Sequence, residues 1–298
     1  MATLRELKTR IGSVSSSEKI TGAMKMISSA KVHKFEQALR QVLPYKNQIQ
    51  SIMGHILESD QAFDSPLIQV REVHNVCLVA YGSDDGLCGA YNMNVYKHLL
   101  GVIRDMRTKY GAAIHFTIYP VGKKMLKAVN HIEDPNIDII VEPGIDSKME
   151  GDTVNTFTLK LQKFFLEGKF DVVYSVYTHF VSMARQRLSG DQLFPIDSAI
   201  LNAEASKTDK KEENKLYIFE PSALKIFNQV LPMFVLSQMQ EITLENRASE
   251  QAARVMAMQS ANDNAQKLLE ELHLEYNKLR QQSITTELLD ILGGQVEN

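Results

Sequence analysis

The sequence predicts an α/β protein: a mainly parallel sheet flanked by long N- and C-terminal helices that pair as an antiparallel coiled coil. Three observations predict it. Apolar residues recur at steps of three, four or seven near both ends of the chain, which keeps a stripe on one helical face. Between the ends, short apolar runs alternate with helical patterns, the order of βαβ units and a parallel sheet. The ends also carry opposite charge. Residues 1–50 hold nine Lys or Arg against three Glu, and residues 240–298 hold ten acids against five bases, so the two segments attract.

The first segment, residues 1–57, reads as one long helix. Its seam runs through Leu4, Leu7, Ile11 and Val14, then Val32, Phe35, Leu39 and Val42, then Ile49, Met53 and Ile56. Between Glu18 and Ser28 that register turns polar, and the apolar positions move to Ile20, Met24, Ile27 and Ala30. Such a shift predicts a phase slip and a local change of supercoil. Pro44 invites a bend. The helix is roughly 80 Å long at 1.5 Å per residue.

Residues 61–66 form a linker, after which the period changes. Strands are expected at Val73–Tyr81, Ile114–Val121, Ile137–Val141 and Asp171–Phe180, with helices at Tyr91–Tyr110, Lys123–His131 and Asp152–Glu167. Together they make a Rossmann-like α/β domain over residues 73–200. Gln186–Ile200 and Leu216–Phe219 are expected to add antiparallel edge strands. Residues 201–220 hold a charged, mobile loop, Ala203–Lys215, before the second of these.

The last segment, residues 221–298, is one longer helix. Leu244, Ala248, Val255, Met258, Ala265, Leu269, Leu272, Tyr276 and Leu279 share its seam, no glycine falls between Ser222 and Leu292, and Pro232 lies near the start. It spans roughly 105 Å, some 20 to 30 Å more than the first helix. Paired antiparallel, its end must project alone. An unpaired rod calls for a socket.

Composition excludes several classes. The 298 residues carry a net charge of -3, which argues against general nucleic-acid affinity. No apolar run reaches eighteen residues, so no transmembrane helix is expected. The basic start lacks the apolar core of a secretory signal, and its helical pattern argues against a removable transit peptide. Two cysteines without a CxxC fit a reducing compartment.

Candidate chemistry is sparse. The loop Gly82–Gly89 (GSDDGLCG) follows a strand and precedes a helix, where α/β folds bind phosphates. It is neither GxGxxG nor a P-loop, and Asp84 and Asp85 repel phosphate, so it reads as a tight turn with acidic N-capping. Cys88 lies near a helix start without an identifiable base and reads as a buried small residue. Eight histidines are scattered without metal-ligand spacing, and no metal, cofactor or catalytic group is expected. Methionines cluster at Met24 and Met26, and at Met256 and Met258, where they fill core or face a changing partner. Gln281, Gln282, Ser283, Thr285 and Thr286 interrupt the last helix with polar groups, either a solvated face or anchors in a socket. Arg254, amid Ser249, Ala252, Ala253 and Ala257, is expected to be exposed, pairing with a carboxylate outside the chain or with Glu250 one turn back. An α/β ligand-binding enzyme with coiled-coil oligomerisation arms is the rival reading, with Gly82–Gly89 as its ligand loop.

Four stretches, SSEKITGAMKMISSAK (16–31), SDDGLCGAYN (83–92), ENRASEQAARVMAMQSANDNA (245–265) and YNKLRQQSITTELLDILGG (276–294), make the chain closely resemble the gamma subunits of F-type ATP synthases, over essentially its whole length. The resemblance implies a central rotor shaft inside an alternating hexamer of alpha and beta subunits. Its α/β foot would lie against the epsilon subunit and the c-ring. Proton or sodium-ion flow would turn ring and shaft, and the shaft would drive the beta subunits through their nucleotide states. The gamma chain itself would be non-catalytic. By position, Met24, Glu250, Arg254, Gln281 and Thr285 would contact beta subunits. Leu288, Leu289, Ile291 and Leu292 would sit in the apolar sleeve of the hexamer. Asp84, Asp85 and Cys88 would belong to the foot loop, on the epsilon and c-ring side. Asp85 departs from the basic residue usual there. Residues 202–215 hold no cysteine, so the redox switch of the plant chloroplast form is not expected. The start at Met1 points to the bacterial form, peripheral on the cytoplasmic face of the inner membrane.

Overall fold

The computed structural model describes residues 3–57, 65–197 and 219–294. Its elements run α1 (Leu4–Leu57), β1 (Asn75–Tyr81), α2 (Tyr91–Tyr110), β2 (His115–Val121), α3 (Lys123–Val129), β3 (Ile137–Ile139), α4 (Gly151–Leu166), β4 (Val172–Ser182), β5 (Arg185–Phe194) and α5 (Ala223–Gly294). Contacts divide the chain into two units. One gathers α1 up to Ser29 with α5 from Arg254 onward, and the other holds Ala30–Ala253.

In the Ala30–Ala253 unit the sheet order is β3-β2-β1-β4-β5. β1 pairs in parallel with β2 and β4, β2 with β3, and β5 joins β4 antiparallel. From Val76 to Tyr81 β1 is apolar and buried because both its faces are covered. Val76, Leu78 and Ala80 face α2 and α3, packing with Val95, Leu99, Ile103, Met125 and Val129. Cys77, Val79 and Tyr81 face the other way, toward Phe157, Leu161 and Phe165 of α4. Ile49, Met53 and Ile56 of α1 and Phe227, Leu231, Phe234, Met239 and Ile242 of α5 complete that second core. Burying each such side chain is worth about 1.5 to 3 kcal/mol, so these turns of both long helices are built into the domain.

Two expected elements end early. β3 stops at Ile139 rather than Val141. Ile140 still donates its N–H to Ile118 O at 2.9 Å, but Ile140 and Val141 are exposed at the sheet's edge. α3 stops at Val129 rather than His131, where His131 and Ile132 bond back three residues, to Ala128 O and Val129 O. Such bonds tighten a last turn and close the helix. Residues 61–64, 203–215 and 216–218, expected as linker, loop and edge strand, lie outside the described residues.

Each unit contains its own antiparallel helix contact. In the Ala30–Ala253 unit, Arg247 stacks over the Phe35 ring at 4.5 Å and Lys46 Nζ meets Glu241 at 2.6 Å. In the other unit, Glu18 accepts from Gln266 at 3.4 Å, and Thr21 Oγ1 lies 3.3 Å from Asn262 Oδ1. In both, the partner number falls as the α1 number rises.

The expected phase slip is absent. Ile20, Ile27 and Ala30 are exposed, while Thr21 is half-buried and Ser28 is buried. Val14, Glu18, Thr21, Lys25, Ser28 and Val32 carry the inward face in unbroken steps of four and three. The heptad register is continuous. Between Glu18 and Ser28 polar groups fill the seam, Ile20 and Ile27 stand outside it, and Met24 is half-buried beside it.

Candidate partner-contact surfaces

Between Glu18 and Ser28, α1 reverses the usual rule for a packed helix. Its inward positions are Glu18, Thr21, Lys25 and Ser28, whereas Ile20, Met26 and Ile27 are 59%, 68% and 57% exposed. Gly22 lets the helices come close, since a Cβ there would lie 3.3 Å from Asn262 Oδ1. Ile20, Met24 and Ile27 share one face at i, i+4, i+7, and Met24 is half-buried. Single exposed apolar side chains are ordinary, but several together on a slender helix pair mark a contact surface. On α5, Met256 is 47% exposed. Pattern reading missed Ile20 and Ile27 as surface residues because it sends every periodic apolar group inward.

At its C-terminal end α5 outruns its partner. The pairing of Glu18 with Gln266 and of Thr21 with Asn262 sets Leu4 against about residue 280. Seam positions Tyr276, Leu279 and Ser283 are half-buried, and every described side chain after Ser283 is exposed. Gln281 and Thr285 are exposed. Thr285 donates to Gln281 O at 2.9 Å and Thr286 to Gln282 O at 3.0 Å, so these hydroxyls satisfy themselves on the helix. Leu288, Leu289 and Ile291 are exposed, and Ile284, which sequence reasoning did not single out, joins them. The Leu292 side chain lies outside the description.

Arg254 departs from its expected exposure. It is buried, and so is Glu250. The reason lies in the neighbouring turns of α5, where each of residues 248–252 is buried. Five consecutive helical residues point around the whole circumference, so the helix has no outer face there.

The loop after β1 belongs to the Ala30–Ala253 unit, and its carboxylate points inward. Asp84 accepts the Lys123 N–H at 3.0 Å, the Ser147 N–H at 3.2 Å and the Ser147 hydroxyl at 2.8 Å. It therefore caps the start of α3. α2, whose capping was expected of it, begins after Ala90 with no side-chain cap. Gly122, at φ 98°, and Gly82 permit this approach, since Cβ atoms there would come within 2.8 Å of Ser83 C and 2.6 Å of Met125 Cβ. Asn92, unnoticed in the sequence, accepts from Ser83 N and donates to Ser83 Oγ at 2.7 Å and Cys88 Sγ at 3.3 Å. Cys88 is buried. Asp85 reaches outward to Lys148 at 3.2 Å, and that hydrogen bond raises the Lys148 pKa. At the tip Leu87 is 58% exposed with φ 64°, a conformation unusual for a branched residue. The loop is a folded-in turn with one apolar residue presented, and its carboxylates leave no phosphate cradle.

Known proteins with this architecture are consistent in kind. The family model described as ATP synthase matches residues 3–296. The ATP synthase gamma chain of Bacteroides thetaiotaomicron is 38% identical over 305 residues, covering 100% of both chains. Those of Bacteroides fragilis and Cupriavidus pinatubonensis are 40% and 33% identical, each covering 99% of both chains. Among solved structures, a chain of the Euglena gracilis mitochondrial ATP synthase, in an assembly described as OSCP/F1/c-ring, is 20% identical with a TM-score of 0.63, covering 98% of this chain and 93% of that one. A chain of the Tetrahymena thermophila central stalk and c-ring has a TM-score of 0.55 at 20% identity, covering 81% of this chain and 99% of that one.

Proposed function

Because this chain belongs to the ATP synthase gamma chain family, we propose that it is the central rotor shaft of an F-type ATP synthase. It couples ion-driven rotation of a membrane c-ring to the conformational cycle of the catalytic beta subunits, and it carries no active site of its own. Residues 1–57 and 221–298 supply the shaft, and residues 73–200 supply the foot, facing the epsilon subunit and the c-ring.

The observation that carries the reading is the reversal at residues 18–28. A two-helix rod that only held itself together would bury Ile20 and Ile27 and expose Thr21 and Ser28. This one does the opposite, which suits a rod whose outer surface must meet another protein. The contacts must also be exchangeable, because the shaft presents itself to three beta subunits in turn. A ligand shifts a conformational equilibrium only by its differential affinity, and shallow apolar contacts give modest differences that rotation can overcome. Met24 with Ile20 and Ile27 would bear on the beta subunits, and Gln281 and Thr285 on beta-subunit loops. Leu288, Leu289, Ile291 and Leu292 would turn in the sleeve of the alpha–beta hexamer. By position Arg254 and Glu250 would also contact the beta subunits, although in this chain by itself both side chains are buried. The exposed Leu87 tip and Asp85 would serve the foot's contact with its partners.

No helix of the described residues is long and apolar enough to cross a membrane. The chain would be held at the cytoplasmic face of a bacterial inner membrane through its partners. Co-purification tests the reading. One copy of the chain recovered per three catalytic subunits of an ATP-hydrolysing hexamer supports it, and a hexamer that assembles and pumps without the chain refutes it.

A further inference from the structure

Four ionisable side chains of the Ala30–Ala253 unit meet where the sheet touches the two long helices. His179 Nδ1, on β4, lies 2.7 Å from the Glu245 carboxylate of α5. One turn earlier on α5, Glu241 holds Lys46 of α1 at 2.6 Å. The Glu245 side chain is 7% exposed, whereas His179 keeps 35%, so the pair is buried on the helix side and reached by solvent from the sheet side. The other groups facing it are few. Tyr177 of β4 is turned to Asp191 of β5 at 2.6 Å, Arg187 of β5 stands opposite His179 in the strand register, and Arg247 points away, to Met149 O and the Phe35 ring.

We propose that His179 and Glu245 are positioning residues that clamp α5 to the sheet through a shared proton, so that the hold of helix on sheet varies with pH near neutrality. The charge count gives the mechanism. Lys46 neutralises one of the two carboxylates, and the other is compensated only while the His179–Glu245 pair keeps one proton, as imidazolium with carboxylate or imidazole with carboxylic acid. When that proton leaves, two buried carboxylates share the half-buried Lys46, while Arg187, opposite His179, stands exposed in solvent. A buried charge left without compensation is strongly destabilising. The Nδ1–H of a neutral imidazole can still donate to the carboxylate, so the clamp weakens and does not break. Burial pushes the Glu245 carboxyl up to about 7, against the pull of the His179 hydrogen bond, which puts the change in a range a cell visits. For the shaft reading, on which this consequence rests, a looser clamp means that torque on α5 reaches the foot with more slip.

Amide hydrogen exchange of the full chain, corrected for intrinsic rates, tests the clamp across residues 238–249 between pH 6 and pH 8.5. Wild-type protection should fall by about tenfold, the equivalent of one pKa unit, while His179→Lys and Glu245→Gln should hold nearly level. A wild-type profile flat with pH, or variants that fall in parallel with it, would overturn the proposal. In the reconstituted complex at pH 8, His179→Lys should pump more protons per ATP hydrolysed than wild type. Equal ratios beside a levelled exchange profile would overturn the coupling role without touching the shaft reading, whereas a wild-type complex that hydrolyses ATP with no rotation would count against the shaft reading itself.

Discussion

Thr21 and Asn262 face each other across the helix pair, Oγ1 to Oδ1 at 3.3 Å. Thr21 has one hydroxyl proton and also reaches Ser17 O and Glu18 O, each at 3.0 Å. A half-turn of the Asn262 amide, which exchanges O and N with little change of shape, lets its NH2 donate to Thr21 Oγ1. The seam thus contains a side-chain pair that works in one register only, a device that fixes pairing at some cost in stability.

Replacing Asn262 separates register from stability. Asn262→Leu should keep or raise the melting temperature, because a polar pair in a seam is exchanged for apolar contact. Asn262→Asp should lower it at pH 7, since a carboxylate held in the seam against Thr21 is partly desolvated and donates nothing. Thermal unfolding of both variants by circular dichroism checks the order.

Exposed residues should behave oppositely. Ile20→Lys and Ile27→Lys alter side chains that are 59% and 57% exposed, so stability should move by no more than about 0.5 kcal/mol. Proton pumping per ATP hydrolysed in membrane vesicles should nonetheless fall. Variants that keep wild-type coupling would remove these residues from the contact surface.

The core offers the contrasting case. Phe234 is fully buried beside Phe227 and Leu231, and Phe234→Ala should cost about 3 to 5 kcal/mol. Urea unfolding should show a lower midpoint with an unchanged slope.

The acid dependence of stability should carry the mark of Glu245. Its pKa rises from 4.5 to about 7 in the fold, first through burial, so between those values the native state binds more protons than the unfolded chain. This group therefore makes stability fall as pH rises from about 4.5 to about 7. Glu245→Gln should gain on wild type in melting temperature through that window, and the difference should stop growing above it.

How the sequence spoke depended on how many constraints met at each residue. Tyr91–Tyr110 was legible to the residue because a single amphipathic face lies between two strand signals and Gly111 ends it. Both long helices and the parallel sheet were legible for the same reason. At residues 18–28 periodicity misled, because it assumes that apolar groups always turn inward, whereas here a polar seam keeps its register and Ile20 and Ile27 stand outside. Arg254 was read as exposed because small neighbours resemble a surface patch, but they are also what lets α5 be buried all round. Asp84 was assigned to the nearest helix start, while its partners, Lys123 and Ser147, lie 39 and 63 residues away. No local pattern carries that information.

As a rotor shaft, this chain should turn. Met93 is 54% exposed on α2 and both native cysteines of this chain are buried, so Met93→Cys gives the chain an exposed thiol for a bead on a surface-fixed hexamer whose other subunits have had their cysteines replaced. With ATP supplied, the account predicts one-way rotation of the bead in steps of a third of a turn. Steady ATP hydrolysis with a bead that only jitters in place would contradict it.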